Sequence, residues 1–480
     1  MNYEAVIGIE THVELLTHSK MFCGCPTDFG ADPNTNVCPV CLGLPGALPV
    51  PNEQAIHWTI ALGMALECSI APHSVFHRKN YFYADLPKNY QISQFDLPLC
   101  VGGHLDVDGG TGERRVGITR VHLEEDTGKS THLGGSGRIH DASGALIDFN
   151  RSGIPLMEVV TEPDIRTPEE ARAYAQELRA IVLALGISDA RLEEGSLRFD
   201  ANVSLRPEGS TTLGTKVEVK NMNSLRSLQR ALAFEIDRQN GVLAAGGTIA
   251  QETRHWDEAA GRTESGRGKE ESSDYRYFPE PDLVPLEVGP ELLARLRAGI
   301  PELPAVRRER YMAAGLDATA ARTLVAGDLS GLFDDAVAAG AAPRAVANWL
   351  SGEVTAHLNR TGTDAADLTL DGAGLAELVE MVDSGEVSAT AAKDVLAGVL
   401  AGEGTPRKVA ERRDLLQISD VGALVVAVDE ALAAHQDEVA RIRGGDARLV
   451  GFLVGQVMKA TGGRADPQAV DRLIRERTGA

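Results

Sequence analysis

The sequence predicts an α+β protein in which a sheet-rich region precedes two helical regions. Before about residue 290, polar and apolar residues alternate with a period of two in several segments, as in half-buried strands of an antiparallel sheet. After about residue 291, aromatic residues nearly vanish, and Ala, Leu and Gly recur with helical spacing. A Gly- and Pro-containing linker near residue 404 precedes a last helical module. We therefore expect a sheet domain over residues 1–292, a helical domain over 293–405 and a helical tail over 406–480.

The first predicted strand, residues 7–14, carries the first candidate site residues. Its apolar side chains alternate with Glu10, His12 and Glu14, which places these three on one face about 6.6 Å apart. Carboxylate oxygen and neutral imidazole both bind Mg²⁺-type or Zn²⁺-type ions. The row therefore indicates a cation site, with Glu14 as its solvated end. A solvated strand face would give the same pattern.

Four of the six cysteines form two close pairs, with the spacing C-x-C, twelve residues, C-x-x-C. These are Cys23, Cys25, Cys38 and Cys41. Disulfides are disfavoured in a cytosolic chain, and four thiolates can close a tetrahedral Zn²⁺ site. Such a site would be structural, because four protein ligands leave no position for substrate. A redox pair or ordinary buried cysteines are the alternatives.

Residues 78–94 are dense in aromatic, amide and basic side chains. Aromatic faces can stack a base, and Lys and Arg can hold phosphates, so Lys79 and Lys88 are candidate ligand-binding residues. A strand–turn–strand with surface lysines is the alternative interpretation.

Acidic residues gather at the end of another predicted strand, within residues 120–129. Glu125 lies in a run of three acids, which a protein keeps together more readily when a cation or substrate offsets the repulsion. Arg151 precedes a Ser-Gly turn and is a candidate clamp for phosphate or carboxylate. Glu158 interrupts an apolar run, where a carboxylate is costly unless it is paired or metal-bound. An exposed acidic turn and a surface arginine are the alternatives for the first two.

Two later strands repeat the alternation. Arg198 and Asp200 share a face within residues 193–205, and Glu218 lies between two lysines within residues 216–220. One wet face is expected of any antiparallel sheet, but rows that mix both charge signs are typical of a site for a polyanion and a metal. Between these regions, Thr167 and Gly186 bound a predicted helix with a packing role.

The segment 251–283 is rich in Gly, Ser and charge in its middle. It is interpreted as a mobile substrate loop or as a disordered connector. The tail has nearly equal numbers of basic and acidic residues, whereas the whole chain has a net charge of −22. The tail is therefore the surface that would least repel nucleic acid.

Several classes of protein are disfavoured by the sequence. A net charge of −22 argues against broad, non-specific nucleic-acid binding, although a local basic patch for a folded RNA remains compatible. No apolar run is long enough to span a membrane, and the N-terminus lacks a secretion signal, so we expect a cytoplasmic protein. The sequence contains no Walker loop, no dinucleotide-binding glycine motif and no G-x-S-x-G motif.

Several motifs resemble those of the B-subunit family (GatB) of the tRNA-dependent amidotransferase GatCAB, in the same order along nearly the whole chain. They are the cysteine quartet and residues 7–14, 87–94, 148–164, 193–204, 216–224, 275–283 and 452–461. Residues 264–274 depart from the family's usual run around Gly266, Gly268 and the pair Ser272-Ser273.

The resemblance implies a mechanism. Misacylated Glu-tRNA(Gln) or Asp-tRNA(Asn) would be phosphorylated by ATP on its side-chain carboxylate, and ammonia would displace the phosphate. The GatA amidase subunit would release ammonia from glutamine and deliver it through a channel, and GatC would brace the heterotrimer. The sheet domain would be a catalytic cradle similar to the glutamine synthetase fold, and the helical domain and the tail would contact tRNA. The chain would thus belong to a carbon–nitrogen ligase with glutamine as amido-nitrogen donor.

The candidate site residues fall into four groups. The expected Mg²⁺ ligands are Glu10, His12, Glu125 and Glu218. The further candidate catalytic acids are Glu158 and Asp200. The candidates for holding ATP phosphates or the substrate carboxylate are Lys79, Lys88, Arg151 and Arg198. The expected structural Zn²⁺ ligands are Cys23, Cys25, Cys38 and Cys41. Either misacylated tRNA, or both, would fit as substrate, and a non-catalytic tRNA-binding scaffold is the alternative function.

Overall fold

The computed structural model describes residues 2–110, 112–134, 142–268, 272–363, 365–417 and 421–479. The chain forms two compact units, Met1–Pro304 and Ala305–Ala480. The first unit is built on β-sheet and the second on helices, which confirms a mixed α and β protein with a helical C-terminal part.

The first unit contains sixteen described strands. They are β1 (Tyr3–Glu14), β2 (Ser69–Ile70), β3 (His73–Ser74), β4 (His77–Asn80), β5 (Tyr90–Ser93), β6 (Cys100–Asp108), β7 (Glu113–Glu125), β8 (Lys129–Leu133), β9 (Gly144–Asp148), β10 (Pro155–Thr161), β11 (Leu197–Pro207), β12 (Val217–Lys220), β13 (Glu252–Asp257), β14 (Arg262–Gly268), β15 (Phe278–Pro279) and β16 (Leu286–Glu287). Its described α-helices are α1 (Glu53–Ala65), α2 (Pro168–Leu185), α3 (Leu225–Ala244) and α4 (Pro290–Ala298). A short 3₁₀ turn spans Ser272–Tyr275.

Nine strands form one sheet in the order β14-β13-β12-β11-β1-β10-β7-β6-β2. Neighbours are antiparallel except β12 and β13, which are parallel because α3 makes the crossover between them. The small sheet β15-β4-β5 and the pairs β16-β3 and β8-β9 complete the described strands. The prediction of a mainly antiparallel sheet is confirmed.

One face of the large sheet is covered by helices. Ile7 and Ile9 of β1 are buried in the same apolar cluster as Tyr174 of α2 and Leu228 of α3. The helix α2 begins and ends as its sequence predicts: the Thr167 hydroxyl accepts a hydrogen bond at its start, and Gly186 adopts φ 66° at its end. Because side chains alternate along a strand, the polar rows are directed to the opposite face.

The second unit is entirely helical within its described residues. Its helices are α5 (Pro304–Ala313), α6 (Ala318–Ala326), α7 (Ser330–Ala338), α8 (Pro343–Trp349), α9 (Thr355–Thr361), α10 (Gly372–Asp383), α11 (Ala389–Leu400), α12 (Pro406–Arg412), α13 (Val421–Ala434), α14 (Gln436–Arg443), α15 (Val450–Ala460) and α16 (Pro467–Thr478). A π-helical turn spans Leu350–Val354, and 3₁₀ turns span Ala365–Asp367 and Ala447–Leu449. Two separate apolar clusters lie in this unit, one up to Leu416 and one from Leu424 onward.

The boundary between the two compact units falls after Pro304, and Leu292 and Leu296 of α4 pack against the core of the first unit. The predicted domains 1–292, 293–405 and 406–480 stay predictions. One feature differs from the sequence-based expectations. Much of the expected loop at 251–283 is a hairpin of β13 and β14, held by the buried side chains of Thr253 and Thr263. Residues 269–271 of that loop lie outside the described residues.

Candidate functional site

A cavity of about 1340 Å³ lies over the polar face of the large sheet. Its lining includes many charged side chains from neighbouring strands. The acids on the five central strands that line it are Glu10, Glu124, Glu158, Asp200 and Glu218. The basic side chains that line it are Lys79, Arg120, Lys216 and Lys220. An arrangement of this kind can hold a polyanion together with cations.

The strand register brings the predicted polar rows together. On β1, His12 lies opposite Glu158 of β10 and opposite Arg198 of β11. In the same way, Glu10 lies opposite Asp200. Directly opposed residues on one face have Cβ atoms about 4.5–5.5 Å apart, so these side chains share one surface.

Three side chains in the cavity form a group that could bind a metal ion. One ligand atom from each of His12, Glu124 and Glu158 lies within 4.8 Å of the others. The His12 Nε2 atom is 3.8 Å from Glu124 Oε1 and 3.7 Å from Glu158 Oε2. One imidazole and two carboxylates at this spacing fit a divalent cation of the Mg²⁺ or Zn²⁺ type.

The electrostatics of this group also favour binding of a cation. Burial raises the pKa of Glu124, and the charge of Glu158 raises it further. Burial alone would raise the pKa of Glu158 as well, but His122, His12 and Lys79 lower it to about 2. The two buried carboxylates therefore repel each other when both are charged, and a bound cation would relieve this repulsion.

Two lysines lie beside these acids. Burial acts to lower the pKa of Lys79, but Glu124 and Glu158 outweigh it, so the pKa is raised and the ammonium stays charged. The Lys220 ammonium is 2.5 Å from Asp200 and 3.5 Å from Glu218. The cavity thus offers fixed positive charges next to a candidate cation site, as phosphoryl transfer requires.

A second charged cluster lines an adjoining cavity of about 700 Å³, which shares His12, Lys79 and Asp200 with the larger one. The Arg198 guanidinium donates to Asp126 Oδ2 at 2.7 Å.

Two further residues belong to the cluster around Asp126. The Arg151 Nε atom lies 3.7 Å from Asp126 Oδ2, while the guanidinium donates to the carbonyls of Thr127 and Gly128. Burial, and then the neighbouring Asp126, raises the pKa of Glu14 to about 8. Glu14 is therefore not the solvated end of the row, because it shares a mostly buried position with Asp126.

Glu125 and Lys88 form a close ion pair that does not line either of these cavities. Both side chains are almost fully buried, with exposures of 4% and 5%. The same carboxylate also accepts a hydrogen bond from the backbone amide of Ile92. In this buried position, the ammonium of Lys88 and the carboxylate of Glu125 neutralise each other.

The predicted site residues thus fall into two sets. Lining the cavities are Glu10, His12, Lys79, Glu158, Arg198, Asp200 and Glu218. Not lining them are Lys88, Glu125 and Arg151. Sequence reasoning missed Glu124 and Lys220. The period-two alternation of β7, in which Arg120, His122 and Glu124 share a face, would have identified the first.

The four clustered cysteines lie together outside the sheet. Their Sγ atoms are within 4.8 Å of one another, with 3.5 Å from Cys41 to Cys23, 3.7 Å to Cys38 and 3.8 Å to Cys25. A tetrahedron of thiolates around Zn²⁺ at about 2.3 Å has edges of about 3.8 Å, so the group fits such an ion.

The surroundings favour the thiolate form of Cys41, whereas the hydrogen bond to Cys41 raises the pKa of Cys23 and burial raises the pKa of Cys25. The hydrogen bond from Cys23, aided by the ammonium of buried Lys20 and opposed by burial, lowers the pKa of Cys41 to about 4. The Lys20 Nζ atom lies 3.6 Å from Cys41 Sγ and donates to the carbonyls of Asn36 and Phe149. Since four thiolates and one Zn²⁺ carry a net charge of −2, the lysine offsets part of it.

No helix among the described residues combines the length and the apolar character that crossing a bilayer requires.

Comparison with known proteins gives consistent matches along the whole chain. A family model described as the GatB/GatE catalytic domain matches residues 5–294, and one described as the GatB domain matches residues 331–477. Three relatives are named as the B subunit of aspartyl/glutamyl-tRNA(Asn/Gln) amidotransferase. The relative from Frankia casuarinae is 54% identical over 99% of this chain and 96% of its own length. Those from Salinispora arenicola and Thermosynechococcus vestitus are 53% and 51% identical, over 100% and 99% of this chain and 97% of their own lengths.

Proposed function

Because this chain belongs to the GatB family, we propose that it is the B subunit of a tRNA-dependent amidotransferase and amidates misacylated Glu-tRNA(Gln), Asp-tRNA(Asn) or both. The observation that carries the proposal is the group of His12, Glu124 and Glu158 beside Lys79 in a large charged cavity. The enzyme would be a carbon–nitrogen ligase that uses glutamine as amido-nitrogen donor, and it would act in the cytoplasm.

The proposed reaction begins with activation of the substrate side chain. A carboxylate is a poor electrophile, so ATP would transfer its γ-phosphoryl group to a carboxylate oxygen, and ADP would leave. Ammonia would then attack the acyl carbon, and the carbon–oxygen bond to phosphate would break to give the amide and inorganic phosphate. This chain's part is to bind and orient the reacting groups and to neutralise charge on the phosphates.

The candidate Mg²⁺ ligands are His12, Glu124 and Glu158, with Glu10 and Glu218 as further acids on the same face. Bound Mg²⁺ would supply charge neutralisation at the phosphate oxygens. Asp200 would hold Lys220 in place, since their charged groups lie 2.5 Å apart.

The basic candidates differ in how accessible they are to a ligand. Lys79 and Arg198 line the cavities and are proposed to contact phosphate or the substrate carboxylate. Lys88 is paired with Glu125, and Arg151 is bound to two backbone carbonyls. Contact of either with a ligand would require these interactions to open.

The remaining assignments extend the proposal to the rest of the complex. Cys23, Cys25, Cys38 and Cys41 would hold a structural Zn²⁺. A GatA amidase would supply ammonia from glutamine, and GatC would complete the heterotrimer. The cradle would share the glutamine synthetase fold, and the helical unit would contact the tRNA.

The alternative is a non-catalytic tRNA-binding scaffold, and one experiment separates the two. The complex is reconstituted with its partner subunits, misacylated tRNA, glutamine, ATP and Mg²⁺, and both amide formation and ATP cleavage are measured. We expect Glu124→Gln to abolish both while tRNA affinity and glutamine hydrolysis by the partner remain. The matched control is Glu53→Gln, at an exposed position on α1. Unchanged amide formation in Glu124→Gln would refute the catalytic proposal.

A further inference from the structure

A continuous row of aromatic rings, exposed at both of its ends, passes the candidate cation site. The chain contains only 5% aromatic residues, yet five rings lie in sequential contact here. In order they are Tyr83, Tyr81, Tyr275, Tyr277 and Phe95, which we call the aromatic row.

One end of the aromatic row is a parallel stacked pair. The ring centroids of Phe95 and Tyr277 are 4.2 Å apart, with only 8° between the ring planes. Phe95 is 46% exposed, and both residues line the large cavity. Because Phe95 is stacked on one side and substantially exposed, it can present aromatic surface to a further flat group.

The middle of the aromatic row lies beside the charged site. The Lys79 ammonium lies 5.0 Å from the ring centroid of Tyr275 and 5.8 Å from that of Tyr81. The same lysine lines the large cavity together with Glu124 and Glu158. One wall therefore joins an exposed stacking surface at the rim to the place where phosphoryl transfer is proposed.

We propose that Phe95, backed by Tyr277, stacks on the unpaired 3′-terminal base of the substrate tRNA and so positions the attached aminoacyl group in the cavity. This inference rests on the proposed function. Base–aromatic stacking tolerates any base and suits a flexible single-stranded end. Phe95 and Tyr277 are positioning residues in this scheme, since neither belongs to the group proposed to hold Mg²⁺.

One observation favours a polymer end over the adenine of ATP. Exposed apolar surface continues outside the cavity lining next to Phe95 in the chain, at Leu97 with 43% exposure, which suits a ligand whose body remains outside.

The test is a binding cycle on the assembled complex with uncharged tRNA. Affinity is measured for wild type and Phe95→Ala, each with intact tRNA and with tRNA lacking its 3′-terminal adenosine. We expect removal of the adenosine to weaken binding to wild type by about 10- to 100-fold, and Phe95→Ala to weaken binding of intact tRNA by a similar factor. Removal of the adenosine should then weaken tRNA binding to Phe95→Ala only slightly, because both changes remove the same interaction.

Two substitutions complete the cycle. Phe95→Trp should retain the affinity for intact tRNA, since it keeps an aromatic face. Phe82→Ala is the matched control, because it removes an exposed ring that does not line the cavity, and it should leave the effect of truncation unchanged. If Phe95→Ala does not fold, Tyr277→Ala takes its place in the same cycle.

Additive effects of truncation and substitution would overturn the proposal. An increased KM for ATP with unchanged tRNA affinity would also overturn it, because the stacked base would then belong to the nucleotide. Equilibrium binding of uncharged tRNA requires no amide formation. If the complex cleaves no ATP but the effects of truncation and substitution are still non-additive, the proposed function fails while this inference stands.

Discussion

The substitution Glu124→Gln tests the candidate cation site independently of catalysis. Glu124 is buried, and both its burial and the neighbouring charge of Glu158 raise its pKa. Without a cation, its negative charge therefore costs stability, and glutamine removes this charge at nearly constant volume. We expect the variant to be at least as stable as wild type in the absence of Mg²⁺ and to lose most of the stabilisation that Mg²⁺ provides.

The expected rise in Tm depends on the binding free energy of Mg²⁺ and on the number of residues in the first unit. A ligand at about 100 times its Kd stabilises a protein by about 2.7 kcal/mol. Unfolding of the 304 residues of Met1–Pro304 has an entropy of about 0.64 kcal/mol/K, at about 2.1 cal/mol/K per residue, so wild-type Tm should rise by about 4 °C. If the variant binds Mg²⁺ roughly 100-fold more weakly, the ion stabilises it by only about 0.4 kcal/mol, and its Tm should rise by less than about 1 °C.

The assay is thermal unfolding of the full chain with and without MgCl₂ at constant ionic strength. Glu53→Gln is the control for loss of one negative charge at an exposed position, and it should keep the wild-type shift. A shift of about 4 °C that persists in Glu124→Gln would show that this carboxylate does not bind the ion, and the proposed ligand set would be wrong.

Three further predictions concern side chains elsewhere in the first unit. Cys38→Ser should lose the single zinc expected per chain, as measured by atomic absorption, whereas Cys68→Ser should keep it because Cys68 lies outside the cysteine group. Lys88→Met leaves the Glu125 carboxylate buried without its cation and should destabilise the protein by about 3–5 kcal/mol in urea unfolding. Lys88→Met combined with Glu125→Leu should recover most of that loss, and a single-variant cost under about 1 kcal/mol would contradict a structural role for the pair. Burial raises the pKa of Cys68 to about 12, so its alkylation by iodoacetamide should accelerate about tenfold per pH unit between pH 8 and 10, and a plateau near pH 9 would disagree.

The polar face of the sheet could be predicted because it is encoded locally. Glu10 and His12 on β1, and Arg198 and Asp200 on β11, follow a period of two that any strand imposes on its side chains. The helix α2 was predictable for a similar reason, since its cap residues lie at fixed positions next to it in sequence.

The partners of the charged residues could not be predicted, because they depend on contacts between distant segments. Arg198 and Asp126 are 72 residues apart in sequence, and Lys88 and Glu125 are 37 apart. No local pattern specifies such a pair. The hairpin of β13 and β14 was missed for the related reason that Gly and Ser are typical of loops, whereas burial of Thr263 against the rest of the unit stabilises a strand there.

Adjacent carboxylates on β7 serve two different environments, since Glu124 lines the cavity and Glu125 pairs with Lys88. The strand is therefore constrained in its length as well as in its composition. Insertion or deletion of one residue between the turn before β7 and Glu124 would invert the orientation of every side chain that follows, up to the next irregularity. An insertion would bring the apolar Leu123 to the cavity position of Glu124, so the cavity would lose an acid although no residue had been substituted. Length changes in this strand should consequently be far less tolerated than conservative substitutions within it.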